Sequence, residues 1–79
     1  MTIGAKERKR FLLLFGTAVK EKRLMLGLSQ EELGFHANLD RTYISGIERG
    51  TRNPTITSAQ MIAKALNLSL AKLFSSLEG

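Results

Sequence analysis

Two helix signals, separated by only about three residues, constrain this chain more than any other feature. Ser29 is followed three positions later by Glu32, which makes a capping box: the hydroxyl accepts the third backbone N–H of the helix, and the carboxylate accepts the N–H of the cap. Asn38 is expected to end this helix in a left-handed conformation, and Asp40 is expected to cap the start of the next. Helices joined by so short a turn cannot run antiparallel for any length, so these two must cross sharply.

The first segment is also predicted to be helical, since its apolar residues recur at spacings of three and four. This helix is expected to run from about Lys6 or Glu7 to Leu26, with Gly27 as its C-terminal stop. A charged side chain shares its inward face and needs a buried partner there. The inward stripe comprises Leu12, Phe15, Val19, Arg23 and Leu26.

Two further helices are expected after the loop that contains Pro54. Thr57 and Gln60 form a second capping-box pattern. The apolar stripe of this fourth helix comprises Ala59, Ile62, Ala63 and Leu66. Ser69 is expected to cap a short last helix. No run alternates with period two, so the chain is predicted to be all-α, with five helices and a helix-turn-helix at its centre.

The positive charge of the chain is concentrated at one end. The formal charge is +5, and residues 1–27 hold seven Lys or Arg against two Glu, whereas residues 28–53 hold three Arg against four acidic residues. Such an excess favours an anionic partner. We assign residues 1–10 to a solvated basic tail and residues 11–79 to one domain. Basic residues such as Arg8 and Lys20 would attract phosphates without sequence preference.

Several classes of protein are disfavoured by the composition. The chain has no cysteine and a single histidine, His36, so it offers neither a disulfide framework nor a metal site. Glu31 and Glu32 are adjacent, diverge on a helix and cannot act as a paired acid and base. No stretch approaches the roughly 20 apolar residues of a membrane span. We therefore expect a cytoplasmic protein with no enzymatic activity, no metal and no cofactor.

The third helix has an unusual surface. On a helical wheel of residues 40–49, one arc holds Asp40, Ile44, Ile47 and Glu48. The opposite arc holds Thr42, Ser45, Gly46 and Arg49, with Arg41 and Tyr43 at its edges. A helix that enters the major groove needs such a face, because small residues permit close approach, hydroxyls reach phosphates or bases, and arginine forks onto guanine. A merely solvated face would favour Glu, Lys and Ala instead.

These residues carry a resemblance to a known family. From Phe15 to about Phe74 the sequence resembles the Xre-type, lambda-repressor-like helix-turn-helix domains, above all through "SQEELGFHANLDRTYISGIERG". Its continuation, "LDRTYISGIERGTRNPTI", is most similar to the small controller proteins of restriction-modification operons. The resemblance implies a five-helix DNA-binding domain that regulates transcription. Such a protein would bind a pseudo-palindromic operator in double-stranded DNA, near its own gene, as a homodimer.

The resemblance also implies roles for individual residues. Eight of them would contact DNA: Gln30 a phosphate; Arg41, Thr42 and Tyr43 bases or adjacent phosphates; Ser45 and Arg49 the backbone or groove; Arg52 and Asn53 from the following loop. Arg23 would pair with Glu48 as a structural ion pair, which also fits the inward positions of both residues. Gly34 stands where the family usually has Ala, and it should weaken the second helix.

The remaining apolar residues raise the question of a partner chain. The last helix is too short to be stable alone, yet it carries a full apolar stripe, and Leu13 and Leu14 lie off the stripe of the first helix. That last stripe comprises Leu70, Leu73, Phe74 and Leu77. It either packs on its own core or, as we prefer, forms part of a symmetric dimer interface. RNA polymerase is a further candidate partner. The alternative functions are a phage-type repressor, or an antitoxin that binds a protein through these apolar surfaces.

Overall fold

The computed structural model describes Thr2 and residues 4–77, and these residues form five α-helices and no strand. The helices are α1 (Ala5–Met25), α2 (Gln30–Ala37), α3 (Arg41–Glu48), α4 (Ile56–Ala65) and α5 (Leu70–Ser75). The all-α prediction and the central helix-turn-helix are confirmed. The outer limits of the predicted tail and domain, residues 1 and 79, lie outside the described residues.

The capping residues of α2 and α3 explain the sharp turn between the two helices. Ser29 Oγ accepts the backbone N–H of Glu32 at 2.9 Å, and the Glu32 carboxylate accepts the Ser29 N–H at 2.8 Å. Asn38 ends α2 with φ of 58°. Asp40 Oδ1 then accepts the Thr42 N–H at 3.0 Å, so only three residues separate the end of α2 from the start of α3. The predicted capping box, left-handed cap and N-cap are all confirmed.

The predicted start of α4 was wrong by two residues. Thr55, not Thr57, is the N-cap, and its hydroxyl accepts the backbone N–H of Ser58 at 3.0 Å. Thr57 already lies inside the helix. Thr55 has the extended backbone of an N-cap residue, with φ of −72° and ψ of 163°, and the helix begins at the next residue. The cap of α5 is the predicted one, since Ser69 Oγ accepts the Lys72 N–H at 3.0 Å.

One apolar core is shared by all five helices. Its largest fully buried side chains are Phe15, Val19, Leu33, Ile44, Ile47, Ile62 and Leu73. Ala59, Ala63 and Leu66 complete the predicted stripe of α4. Leu26, predicted on the inward stripe of α1, is instead 45% exposed. It is the C-cap residue, after which Gly27 turns the chain away with φ of 71°.

Two glycines allow helices to approach more closely than any side chain would permit. A Cβ atom on Gly16 of α1 would collide with the backbone carbonyl of Ile47 and lie 2.7 Å from that of Glu48. A Cβ atom on Gly34 of α2 would lie 2.6 Å from the carbonyl oxygen of Leu39. A side chain at position 34 would therefore require the backbone of the turn into α3 to shift.

The basic N-terminal tract belongs to a helix and not to a tail. α1 begins at Ala5, so residues 5–10 form its first turns, and all of them are exposed. Six residues add about 9 Å of helix to the chain. None of the helices in the described part of the chain is both long enough and apolar enough to cross a membrane.

Candidate nucleic-acid interface

The side chains predicted to contact DNA are gathered on the outer side of α3 and on the loop after it. Arg41, Thr42, Arg49, Arg52 and Asn53 are exposed, and Tyr43 and Ser45 are half-buried. The opposite side of α3 is anchored in the core by Ile44 and Ile47, whose exposures are 0% and 1%. The polar face of α3 therefore belongs to a helix whose rotation about its own axis is fixed.

The first turn of α3 is ordered by its cap. The Asp40 carboxylate accepts both the backbone N–H of Thr42 at 3.0 Å and its hydroxyl at 2.7 Å. These bonds, the backbone one foremost, lower the pKa of Asp40. Because the Thr42 hydroxyl donates its proton to Asp40, its oxygen can only accept a further hydrogen bond. Arg41, which lies between Asp40 and Thr42, places an exposed positive charge at the N-terminal end of α3.

A buried ion pair fixes α3 against α1. Arg23 Nε donates to Glu48 Oε2 at 2.7 Å, and Arg23 Nη2 donates to Glu48 Oε1 at 3.0 Å. The third nitrogen, Nη1, donates to the carbonyl of Leu28 at 2.7 Å. The bond to Glu48 raises the pKa of Arg23, although burial acts in the opposite sense. The sequence predicted this pair, and its two-pronged geometry leaves α3 little freedom to tilt.

Gln30, the predicted phosphate contact at the start of α2, joins the same network. Its Nε2 donates to Glu48 Oε1 at 3.1 Å, and the residue is half-buried. One amide proton is therefore committed to Glu48, while a glutamine amide nitrogen carries two. A phosphate at this position would be held by an amide whose orientation is already set.

The loop after α3 is tied to the helix at Gly46. The carbonyl of Gly46 accepts the backbone N–H groups of Thr51 at 2.9 Å and Arg52 at 3.2 Å, and the Thr51 hydroxyl at 3.2 Å. Gly46 itself is buried, so its predicted place on the exposed arc was wrong. The side chain of Arg52 covers it. The Arg52 guanidinium then lies over the Tyr43 ring, with its carbon 5.4 Å from the ring centroid.

The last helix packs on its own chain. Leu73 is fully buried, so it has no surface to offer a partner and the prediction of an interface role was wrong for this residue. The Phe74 ring lies 5.7 Å from that of Phe15. Leu70, Phe74 and Leu77 are half-buried against the core. They leave part of their surface open, and the sequence pattern alone did not distinguish them from Leu73.

An apolar groove that the sequence pattern missed opens beside α5. It is lined by Phe11 and Phe15 of α1, by Phe74 of α5 and by residues 53–56 and Ala59. Ile56, at the first position of α4, is 77% exposed. The sequence around Ile56 gives no sign that this residue is exposed, because an isoleucine at the start of a helix interrupts no pattern of apolar residues. Only the fold shows that it borders this groove.

Two exposed aromatic rings, those of Phe35 and His36, lie together on α2. Phe35 is 82% exposed, and its ring meets that of His36 edge-on, with the ring centroids 5.7 Å apart. Among the described residues, no three His, Cys, Asp or Glu side chains lie close enough to hold a metal ion.

Comparison with known proteins identifies the family. Residues 19–73 match the helix-turn-helix family model. The control protein C.BamHI of Bacillus amyloliquefaciens is 51% identical over 57 residues, which cover 71% of this chain and 70% of that protein. The crystal structure of the restriction-modification controller protein C.AhdI from Aeromonas hydrophila is 43% identical, with a TM-score of 0.78 over 80% of this chain and 96% of that one.

A third similar protein was crystallised on DNA. The controller protein C.Esp1396I, solved as a tetramer in complex with its natural 35 base-pair operator, is 46% identical, with a TM-score of 0.80 over 86% of this chain and 90% of that one. The family model covers α2, α3 and the loop after α3, which hold the candidate interface. This chain therefore belongs to the Xre-type helix-turn-helix family, among the relatives of the restriction-modification controller proteins.

Proposed function

We propose that this protein is the cytoplasmic controller of a restriction-modification operon, and that it binds a pseudo-palindromic operator as a homodimer. The observation that carries the proposal is the exposed polar face of α3, held in one orientation by the buried pair of Arg23 and Glu48. The operator-bound state of C.Esp1396I supports the same assignment. No catalytic role is proposed.

The chemistry of the α3 face suggests how it would read DNA. In the proposed complex, the first turn of α3 enters the major groove, where Arg41 can fork onto guanine O6 and N7. Thr42 and Tyr43 lie beside it and would reach base edges or the nearest phosphates. The remaining polar groups would bind the sugar-phosphate backbone of the DNA. They are Gln30, Ser45, Arg49, Arg52 and Asn53. Contacts of this second kind set the register of the protein on the duplex but carry no base preference.

A dimer would double this readout. Two copies related by a two-fold axis place their α3 helices in successive major grooves about 34 Å apart, which requires a pseudo-palindromic site. We place the dimer contact at the groove beside α5, because Phe11 and Ile56 expose apolar surface there, at 48% and 77%, next to the half-buried Phe74. The tetrameric assembly of C.Esp1396I supports self-association.

The regulatory outcome would depend on where the operator lies. An operator that overlaps the promoter would exclude RNA polymerase, and an upstream operator would allow the bound dimer to recruit it. RNA polymerase is thus the second partner that we propose. Transcription in vitro from the natural upstream region, with and without the protein, measures the sign of the effect.

The proposal is tested by selecting bound sites from a randomised duplex pool at near-physiological salt. Enrichment of a two-fold symmetric site, with half-sites about one helical turn apart, is the expected result. On that site, Arg41→Ala should cost about 1–3 kcal/mol and relax the preference at one base position, whereas Lys20→Ala should weaken all sequences alike. If the folded protein enriches no sequence, the proposal fails and a protein partner becomes the leading alternative.

A further inference from the structure

Gly46 lies where the side chain of Arg52 crosses α3. A Cβ atom at position 46 would lie 2.5 Å from Arg52 Cγ and 3.4 Å from Arg52 Cβ. The first distance is shorter than real contacts of this kind, so a side chain at 46 and the observed path of Arg52 exclude each other. The backbone does not demand glycine here, because Gly27 and Gly50 are the glycines with positive φ in the described part of the chain.

The path of Arg52 leads to another residue of the proposed recognition face. After crossing Gly46, the guanidinium lies over the ring of Tyr43, 5.4 Å from its centroid, a geometry in which cation and ring attract each other. The Arg52 N–H is bonded to the Gly46 carbonyl at 3.2 Å, so backbone and side chain are both held. An exposed arginine would otherwise sample many rotamers.

We infer that Gly46 is a positioning residue, whose missing side chain lets Arg52 lie against α3 and stack on Tyr43 before DNA arrives. The inference rests on the proposed function, because it assigns this ordered pair to operator binding. An arginine already held in place loses less conformational freedom on binding than a free one. The usual cost of ordering such a side chain corresponds to about a 2- to 12-fold change in affinity.

If Gly46 has this role, its replacement should affect the melting temperature and the operator affinity differently. Alanine favours a helix more than glycine does, and Arg52 is exposed, so it can turn away from a new methyl group at little cost. Gly46→Ala is therefore expected to keep or raise the melting temperature while it weakens operator binding. A glycine needed only for packing would behave in the opposite way, because its replacement would lower the melting temperature.

The test uses the full chain and a double-mutant cycle. Operator affinity and melting temperature are measured for the wild type, Gly46→Ala, Arg52→Ala and the double variant. Gly46→Ala should lose about 2- to 12-fold in affinity, and it should cause no further loss when Arg52 is already Ala. Gly4→Ala is the matched control, since its new methyl group would meet nothing closer than 3.9 Å. It should bind as the wild type does.

A measurement without DNA keeps this inference separate from the proposed function. In the NMR spectrum, the Arg52 side-chain protons should show a ring-current shift from Tyr43 in the wild type and in Tyr43→Phe. The shift should vanish in Tyr43→Leu and in Gly46→Ala. Three results would each overturn the inference. The ring-current shift could persist in a folded Gly46→Ala, or that variant could bind the operator with wild-type affinity. The third result is that Gly46→Ala lowers the affinity as much in the Arg52→Ala background as it does in the wild type. If Gly46→Ala does not fold, the wild type alone still tests the inference, because the absence of a ring-current shift on Arg52 in the wild type would also overturn it. Absence of any operator for the wild type would instead overturn the proposed function.

Discussion

At the scale of single residues, the pair of Arg23 and Glu48 is the contact whose loss should matter most for folding. The two side chains are only 9% and 3% exposed. Arg23→Met would leave the Glu48 carboxylate buried without its cation, which typically costs about 3–5 kcal/mol. A domain of this size has a total stability of roughly 4–12 kcal/mol. Urea unfolding should therefore show a variant that has lost a large part of its stability.

The control for this variant is Lys20→Met, which removes an exposed charge from the same helix and should change the unfolding midpoint little. A further replacement of Glu48 by Met in the Arg23→Met background should restore part of the loss, because no charge then remains buried. Equal midpoints for Arg23→Met and the wild type would show that the pair does not hold α3 in place.

Asp40 makes the stability of the folded protein depend on pH. Its pKa is lowered by the N–H of Thr42 and then by the hydroxyl, so the folded chain takes up a proton there less readily than the unfolded chain does. The resulting stability is present above the unfolded pKa of about 3.9 and is lost as the pH falls through the lower folded value. Asp40→Asn keeps a good cap but cannot titrate.

The wild type and Asp40→Asn should thus melt alike above about pH 5, and the wild type should lose melting temperature more steeply below about pH 4. Thermal unfolding followed by circular dichroism between pH 3 and 7 measures this difference. Parallel curves for the two proteins would mean that the cap contributes no pH dependence.

At the scale of helices, the crossing of α1 and α3 depends on Gly16. A methyl group there would collide with the carbonyls of Ile47 and Glu48, which belong to backbone and cannot swing aside. Overpacking of this kind costs about 1–3 kcal/mol or more, against a gain in helix propensity of about 1 kcal/mol. Gly16→Ala should therefore lower the unfolding midpoint in urea. Thr17→Ala, exposed at the next position of α1, should not. A midpoint equal to that of the wild type would show that the helices can separate freely.

Helices with strong end signals could be predicted from the sequence, and close contacts between helices could not. Ser29, Asn38 and Asp40 act through bonds within a few residues, so their caps were predicted correctly. Gly46 was placed on the exposed arc, because a helical wheel does not include the later Arg52 that covers it. Gly16 was missed for the same reason, since its partner carbonyls lie on another helix. The Arg23–Glu48 pair was predicted from the family resemblance, and the inward positions of both residues agreed with it, because an unpaired buried charge is costly.

At the scale of the whole molecule, two surfaces with different chemistry are held by one small core. The polar face of α3 carries the proposed DNA contacts, while the groove beside α5 is apolar and includes the exposed Phe11 and Ile56. α5 supplies Leu73 to the core and Phe74 to the edge of the groove. The core that orients α3 therefore also shapes the surface that we assign to the second copy. The proposed DNA contacts and the proposed dimer contact thus depend on the same core.

Ile56→Asp should separate these two properties. Ile56 is 77% exposed, and an acidic residue in the first turn of α4 favours the helix dipole, so the fold should persist. A charge facing the partner's apolar surface should prevent dimer formation. Sedimentation over a range of concentrations is expected to give a folded monomer. Its operator affinity should fall by about 10²- to 10⁴-fold, because each half-site is then bound independently.

The matched control for this experiment is Met25→Asp, which places the same charge at a residue that is also 77% exposed but does not line the groove. This variant should dimerise and bind the operator as the wild type does. If Ile56→Asp also remained dimeric, the interface would lie elsewhere, and the groove beside α5 would have to serve another purpose. If both variants became monomeric, the effect would follow from added charge in general and not from the position of Ile56 beside the groove.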